Sequence, residues 1–199
     1  MQNVAIIDSG GANIASLQFA LARLGANAAI TGDAEEIRGA DRVVLPGVGA
    51  ARNAMQRLQQ LELVDTIREL QQPLLGICLG LQLLCEASAE EDVRCLGVFA
   101  GTAAKLPATP DLPVPNMGWC PIESTGKHPV LAGIDDGEYF YFVHSYAVPV
   151  GDETIASAVH ADAFSAVLAR DNFVAAQFHP ERSSAAGATL LQNFLDWTP

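Results

Sequence analysis

The stretch Pro73-Leu74-Leu75-Gly76-Ile77-Cys78-Leu79-Gly80-Leu81-Gln82-Leu83-Leu84 sets the frame for reading this chain. Its first half is a short continuous apolar run bounded by proline, which reads as a strand buried on both faces, as in a parallel sheet. Beyond Cys78 a helical pattern runs to about Glu86. Strand passes to helix without a loop, so the turn must be tight, and it has the form Gly-x-Cys-x-Gly. A side chain at the tip of such a turn crowds the residues two positions away on each side, and glycines at 76 and 80 relieve that crowding. The turn also places the Cys78 thiol at a helix N-terminus, where the macrodipole favours thiolate, and lets the Leu79 amide face a developing oxyanion. Cys78 is therefore a candidate nucleophile. The plain alternative is a buried thiol in a glycine-bounded turn.

Upstream, short β-rich runs alternate with amphipathic segments, the pattern of an α/β sheet with crossover helices. Val4 to Ile7 reads as the first strand. Ile14, Leu17, Leu21 and Leu24 recur at helical spacing, and Gly25 closes that helix. Ala28 to Thr31 reads as a second strand and Arg42 to Leu45 as a third, broken by Pro46-Gly47, with helical patterns from about Ala50 to Leu70. Downstream, five prolines between Lys105 and Pro121 make that segment extended or turn-like. Tyr139 to Val148 and Ala166 to Phe178 read as strands, with Asp171-Asn172 at a hairpin turn. His128 starts a short helix, and a final helix runs from near Ser184 to Trp197. No repeat, low-complexity tract or linker interrupts the chain. The expected architecture is one α/β domain over residues 1–199, with an open, mixed but mostly parallel sheet, flanking helices and a smaller antiparallel extension in the second half.

The charge balance removes whole classes of function. Eleven Lys+Arg against 23 Asp+Glu give a formal net charge of −12, and Lys105 and Lys127 are the two lysines. No basic stripe exists to meet nucleic acid or anionic lipid, so neither is an expected partner. No run approaches the roughly 20 apolar residues of a membrane span, and Met1 to Asp8 carries no basic leader, so the expected location is cytoplasmic. Cys78, Cys85, Cys95 and Cys120 form no Cys-x-x-Cys pair, and a chain of this length needs no disulfide framework. At least three of them are expected to be ordinary buried thiols. Gly10-Gly11-Ala12-Asn13 lacks the Gly-x-Gly-x-x-Gly of a dinucleotide site. Neither cofactor nor metal is expected.

A cysteine nucleophile needs a base. His179 directly follows the strand Val174 to Phe178, the place where open α/β sheets put their sites, and Glu181 stands two residues on, across the stiff Pro180. That spacing lets a carboxylate hold the far nitrogen of the imidazole, fixing its tautomer and supporting the imidazolium. His128, His144 and His160 sit in contexts better read as satisfied or solvated. Cys78 and His179 are 101 residues apart, so spacing alone does not pair them. In Pro46-Gly47-Val48-Gly49, glycines on both sides of Val48 can turn a backbone N–H toward a site, though a plain strand-ending loop would look the same.

Gly76-Ile77-Cys78-Leu79-Gly80-Leu81-Gln82 and Phe178-His179-Pro180-Glu181-Arg182-Ser183 together resemble the signatures of class I (triad) glutamine amidotransferases. The resemblance extends over essentially the whole chain and is greatest for the glutaminase subunits of imidazole glycerol phosphate synthases. It is carried further by Asp8-x-Gly10-x-x-Asn13, Leu45-Pro46-Gly47-Val48-Gly49-Ala50, Pro115-x-Met117-Gly118-Trp119 and Tyr141-Phe142-Val143-His144-Ser145-Tyr146. It implies a flavodoxin-like fold, Cys78 as nucleophile on the amide of glutamine, His179 as acid/base and Glu181 as its orienter. Val48 and Leu79 would supply oxyanion amides, and Gly49, Gln82, Ser145 and Tyr146 would bind glutamine. Met117, Trp119 and Tyr141 would face a partner.

That implied partner is a (β/α)8 cyclase in a heterodimer of histidine biosynthesis, which takes the ammonia through an internal channel. Three positions depart from the pattern. Ser9 replaces the usual tyrosine, Asn116 stands where histidine is common, and Cys120 stands where asparagine is expected. Leu81, where anthranilate-type glutaminases usually carry histidine, argues against that subfamily. Other class I glutaminases, of pyridoxal phosphate or anthranilate type, and a non-enzymatic binding module on the same framework are the alternatives.

Overall fold

The computed structural model describes residues 1–10 and 14–199; part of the Gly10-Gly11-Ala12-Asn13 turn and of the Asp8 to Asn13 motif lies outside them. In the first half β1 (Asn3–Ile7), α1 (Ile14–Arg23), β2 (Asn27–Thr31), α2 (Ala34–Gly39), β3 (Arg42–Gly47), α3 (Ala51–Gln60), α4 (Leu63–Arg68), β4 (Leu74–Cys78) and α5 (Leu79–Leu84) alternate strand with helix. The strands β5 (Cys85–Ser88), β6 (Val93–Arg94), β7 (Phe99–Lys105), β8 (Asn116–Pro121) and β9 (Glu123–Ser124) follow. Then come β10 (Tyr139–His144), β11 (Tyr146–Ala147), β12 (Thr154–His160), β13 (Asp162–Arg170), β14 (Phe173–Ala176) and α6 (Ser184–Asp196).

The main sheet has the order β2-β1-β3-β4-β14-β13-β12-β9. Its first five strands are parallel, and β14, β13, β12 and β9 pair antiparallel. An antiparallel β10–β8 ribbon and a smaller sheet, β11-β7-β5-β6, form the expected smaller addition; in that sheet β5 and β7 run parallel and the outer pairs antiparallel. Because successive strand residues face opposite ways, the apolar runs feed two cores. Ile6, Val44, Leu75 and Ile77 pack with α1 and α6, and Ile7, Val43, Leu45 and Leu74 pack with α3, α4 and α5.

Several local expectations are corrected. β3 is not broken at Pro46-Gly47 but pairs with β4 through Gly47 opposite Cys78. The Val43 amide donates toward β4, to Pro73, so by alternation Pro46 faces the β1 side, where pairing has already ended at Val44. The Pro46 carbonyl there accepts from Ser9 Oγ at 2.7 Å. The 50–70 segment is two helices, divided at Glu62 in the left-handed region. α2 was not anticipated, although Asp33 caps it by accepting from the Glu35 and Glu36 amides. α5 stops at Leu84, short of Glu86, because Cys85 enters the small sheet. His128 does cap a short 3-10 turn, Pro129–Leu131, and Asp171 and Asn172 do join β13 to β14.

Candidate active site

Cys78 closes β4 with φ 55° and ψ −109°, a conformation that L-residues seldom adopt. The flanking glycines are required, but for a reason other than crowding by Cys78 itself. A Cβ at Gly76 would stand 2.7 Å from Leu84 Cδ1 and 3.1 Å from Ala175 Cβ, and one at Gly80 would land on the Leu45 carbonyl oxygen. What the glycines permit is α5 lying directly against β3, β4 and β14.

The 101-residue gap to His179 is closed by the sheet: β14 is the parallel neighbour of β4, with Ala176 opposite Ile77. His179 therefore emerges beside Cys78 at the same edge. Its amide donates to the Tyr141 carbonyl at 2.9 Å, and its carbonyl accepts from Ser183 Oγ at 2.7 Å. Ser183 Oγ in turn accepts from the Tyr141 amide, so the ribbon and the His179 turn are tied together. The 3-10 turn Pro180–Arg182 brings Glu181 back, and His179 Nδ1 lies 2.9 Å from Glu181 Oε1, with both side chains 6% exposed. A carboxylate only accepts, so Nδ1 carries the proton and Nε2 is the working nitrogen. Burial alone would lower the His179 pKa. Hydrogen bonding and charge from Cys78 and Glu181 outweigh it and raise the group to about 10. Among the described residues, His179 Nε2 and Glu181 Oε2 are buried without a well-formed hydrogen bond.

Cys78 and His179 border a cavity of about 340 Å³, of a size that suits a small metabolite. Val48, Gly49, Leu79, Gln82, Ser145 and Tyr146 line it too, so the sequence-predicted nucleophile, base, oxyanion and ligand positions converge. Glu181 lines a second, adjoining space of about 30 Å³ with Ser9, Gly10 and Val48. The Leu79 amide opens α5 and has no intrahelical acceptor. Gln82 Nε2 donates to the Tyr146 carbonyl at 3.0 Å and to Gln177 Oε1 at 3.2 Å, leaving its own Oε1 to meet a ligand donor. A thiol, an imidazole oriented by a carboxylate and two nearby amides are the parts that acyl transfer requires.

Three contributors were not read from the sequence. Glu90 lines the cavity and accepts from the Ala51 amide at 3.2 Å, yet nothing separates it in sequence from its acidic neighbours Glu91 and Asp92. Ser183 and Gln177 are buried polar residues whose partners are distant in the chain. The other histidines are satisfied, as expected: His144 by Tyr146 and Asn116, His160 by the Pro113 carbonyl, and His128 by the Val130 amide. Cys85 and Cys95 are buried thiols that burial pushes upward, Cys95 to about 11, while Cys120 is half-buried. Met117, Trp119 and Tyr139 are exposed on one face of the β8–β10 ribbon, and Trp119 meets Tyr141 edge-on at 6.1 Å. Among the described residues no group of three or more His, Cys, Asp or Glu is placed to hold a metal, and no helix is long and apolar enough to cross a membrane.

Comparison with known proteins agrees with this geometry. The chain is 48% identical over 201 residues to the imidazole glycerol phosphate synthase subunit HisH 1 of Vibrio vulnificus (strain YJ016), covering 98% of each. It is 46% identical over 199 residues to subunit HisH of Haemophilus influenzae (strain 86-028NP), covering all of both. Among solved structures, one described as a glutamine amidotransferase matches with a TM-score of 0.75 at 18% identity, over 97% of each chain, which establishes the shared fold. The family model for class-I glutamine amidotransferases matches residues 5–197, and the chain belongs to that family.

Proposed function

We propose that this chain is the glutaminase subunit of an imidazole glycerol phosphate synthase, working as one domain in the cytoplasm. The observation that carries the reading is the meeting of Cys78, His179 and Glu181 at one cavity, in a chain nearly half identical along its whole length to subunits so named. Cys78 Sγ attacks the side-chain carboxamide carbon of glutamine, with its proton already held at Nε2 of the charged His179. The Leu79 and Val48 amides hold the oxyanion. His179 returns the proton to the departing ammonia, leaving a thioester that water, deprotonated by the same imidazole, hydrolyses to glutamate. Glu181 keeps the tautomer and supports the imidazolium throughout. Gly49, Gln82, Ser145 and Tyr146 seat the glutamine, and Glu90 gives its α-ammonium an opposite charge.

Ammonia in bulk water would be protonated and lost, so the chemistry is useful when a docked cyclase takes it directly. We place that docking on the ribbon face bearing Met117, Trp119 and Tyr141, and assign to the cyclase the conversion to imidazole glycerol phosphate and aminoimidazole carboxamide ribonucleotide. The Val48 amide is the element that docking and cyclase ligand would set, making the isolated chain nearly silent.

The test mixes the chain with a candidate cyclase and follows glutamate release with and without the cyclase's ligand. Cys78→Ala is expected to abolish glutamine-dependent synthesis, a loss of at least about 10³-fold, while leaving synthesis from added ammonium salts intact. Glutamine-dependent synthesis surviving in that variant would overturn the nucleophile assignment. Turnover with a different synthase partner would reassign the subfamily.

A further inference from the structure

One backbone carbonyl, that of Tyr146, accepts two part-buried hydrogen bonds, from Gln82 Nε2 at 3.0 Å and from His144 Nδ1 at 2.9 Å. Because a carbonyl only accepts, it dictates the orientation of every group connected to it. On one arm Gln82 must present its NH₂, so Gln177, 3.2 Å from that nitrogen, must present Oε1. The NH₂ of Gln177 is then turned to Cys78 Sγ, 3.8 Å away. On the other arm His144 carries its proton on Nδ1, and Nε2 accepts from Asn116 Nδ2 at 3.1 Å. Asn116 Oδ1 therefore faces Cys120 Sγ at 3.6 Å, and Cys120 must donate its S–H. Burial lowers the His144 pKa to about 4, consistent with the neutral ring this arm needs. Asn116 and Cys120, the two family departures left without a role, are the mutually matched end of this chain.

The nucleophile's sulfur thus meets two opposed contacts. The Val143 carbonyl, 3.8 Å away, can accept from the thiol and is repelled by a thiolate, whereas the Gln177 N–H favours the thiolate. We propose that Gln177 is a positioning residue for Cys78, oriented through Gln82 by the Tyr146 carbonyl so that its amide N–H faces the sulfur as charge develops on it. It is fully buried and does not itself line the cavity, acting on it through Cys78 and Gln82. The proposal rests on Cys78 being the glutaminase nucleophile.

The decisive contrast is between Gln177→Glu and Gln177→Met in the chain docked to its cyclase. Glu keeps an oxygen for Gln82 but puts a second oxygen against the sulfur, and Met removes both contacts at similar volume. Both variants are expected to lower kcat for glutamine about tenfold or more, with KM changed less than about threefold. If the role were merely to hold Gln82, Glu would restore kcat to the wild-type value, and that result overturns the proposal. Should the Met variant fail to fold, the Glu variant decides alone. ¹⁵N-histidine NMR of the intact wild-type chain is independent of activity. It is expected to show His144 neutral with the proton on Nδ1 at pH 7, and a proton on Nε2 would overturn the orientation argument. A wild-type chain that hydrolyses no glutamine with any cyclase, and whose Cys78 is not alkylated by a glutamine-mimicking chloroketone, would instead sink the glutaminase reading.

Discussion

Two glycine-bounded turns end the neighbouring strands β3 and β4 and line the cavity together, and they are held in different ways. Around Cys78 the backbone is enclosed: Leu79 is 4% exposed, and a Cβ at Gly80 would collide with the Leu45 carbonyl. Gly47 belongs to this packed side, since a Cβ there would stand 2.8 Å from Leu79 Cβ. Two residues later the situation reverses. Gly49 sits at φ +92° with nothing within 4 Å of a built Cβ, and Val48 is 38% exposed. The two amides assigned to the oxyanion therefore differ in kind. That of Leu79 is fixed by packing, whereas that of Val48 is fixed by backbone dihedrals in open space. Reorienting the first means moving α5 off the sheet. Reorienting the second needs a local rotation, which a docked partner's contacts can supply.

The largest effect expected from this contrast is that of Gly80→Ala. The colliding atom is backbone of a central strand, so neither side can give way without shifting α5. A loss of about 3 kcal/mol is expected in urea or thermal unfolding, at the upper end of overpacking costs. Wild-type stability in this variant would show that the Cys78 turn is not pinned, and the contrast would fail.

His179 belongs with the fixed side, buried and tied by Ser183, and its charge makes that testable by pH. Its folded pKa lies above the ordinary value near 6.5, so its protonation stabilises the fold fully below about pH 6.5 and progressively less as pH rises through about 10. Glu181→Gln weakens the support for that charge. The variant is expected to be less stable by about 2 kcal/mol at pH 6, with the deficit shrinking toward pH 10. Urea titrations at pH 6, 8 and 10 check the sign. A deficit that grew with pH would mean that His179 is neutral in the folded state.

The fixed side was also the legible side. Gly76-Ile77-Cys78-Leu79-Gly80 announces a strand-to-helix turn because its demands are local, even though the atoms that exclude a Cβ turned out to be Leu84, Ala175 and the Leu45 carbonyl rather than Cys78's neighbours. His179 and Glu181 were readable because a 3-10 turn spans them, and the order of strands did the rest. What escaped were polar groups whose meaning is set by distant partners. Glu90 is one acid in a run until the Ala51 amide and the cavity single it out, and Gln177 is one polar residue at a strand end until Gln82 and Cys78 flank it. Strand β5 was missed for the same reason. Cys85–Ser88 continues an apolar helical pattern, and its pairing with β7 depends on residues that local periodicity does not see.

Gly49→Ala carries the smallest expected cost in stability and tests the open side. Nothing obstructs the methyl group, so the penalty is the positive φ alone, about 1 kcal/mol. The same substitution biases the rotation that presents the Val48 amide, and one oxyanion donor is worth about 10²-fold or more in kcat. The variant is therefore expected to unfold almost like wild type while losing glutamine turnover in the complex, the reverse of the relation between stability and activity at an overpacked core site. If it lost as much stability as Gly80→Ala, the loop would be as tightly held as the neighbouring turn. If it kept full turnover, the Val48 amide would not depend on the backbone at 49, and Leu79 would carry the oxyanion without it.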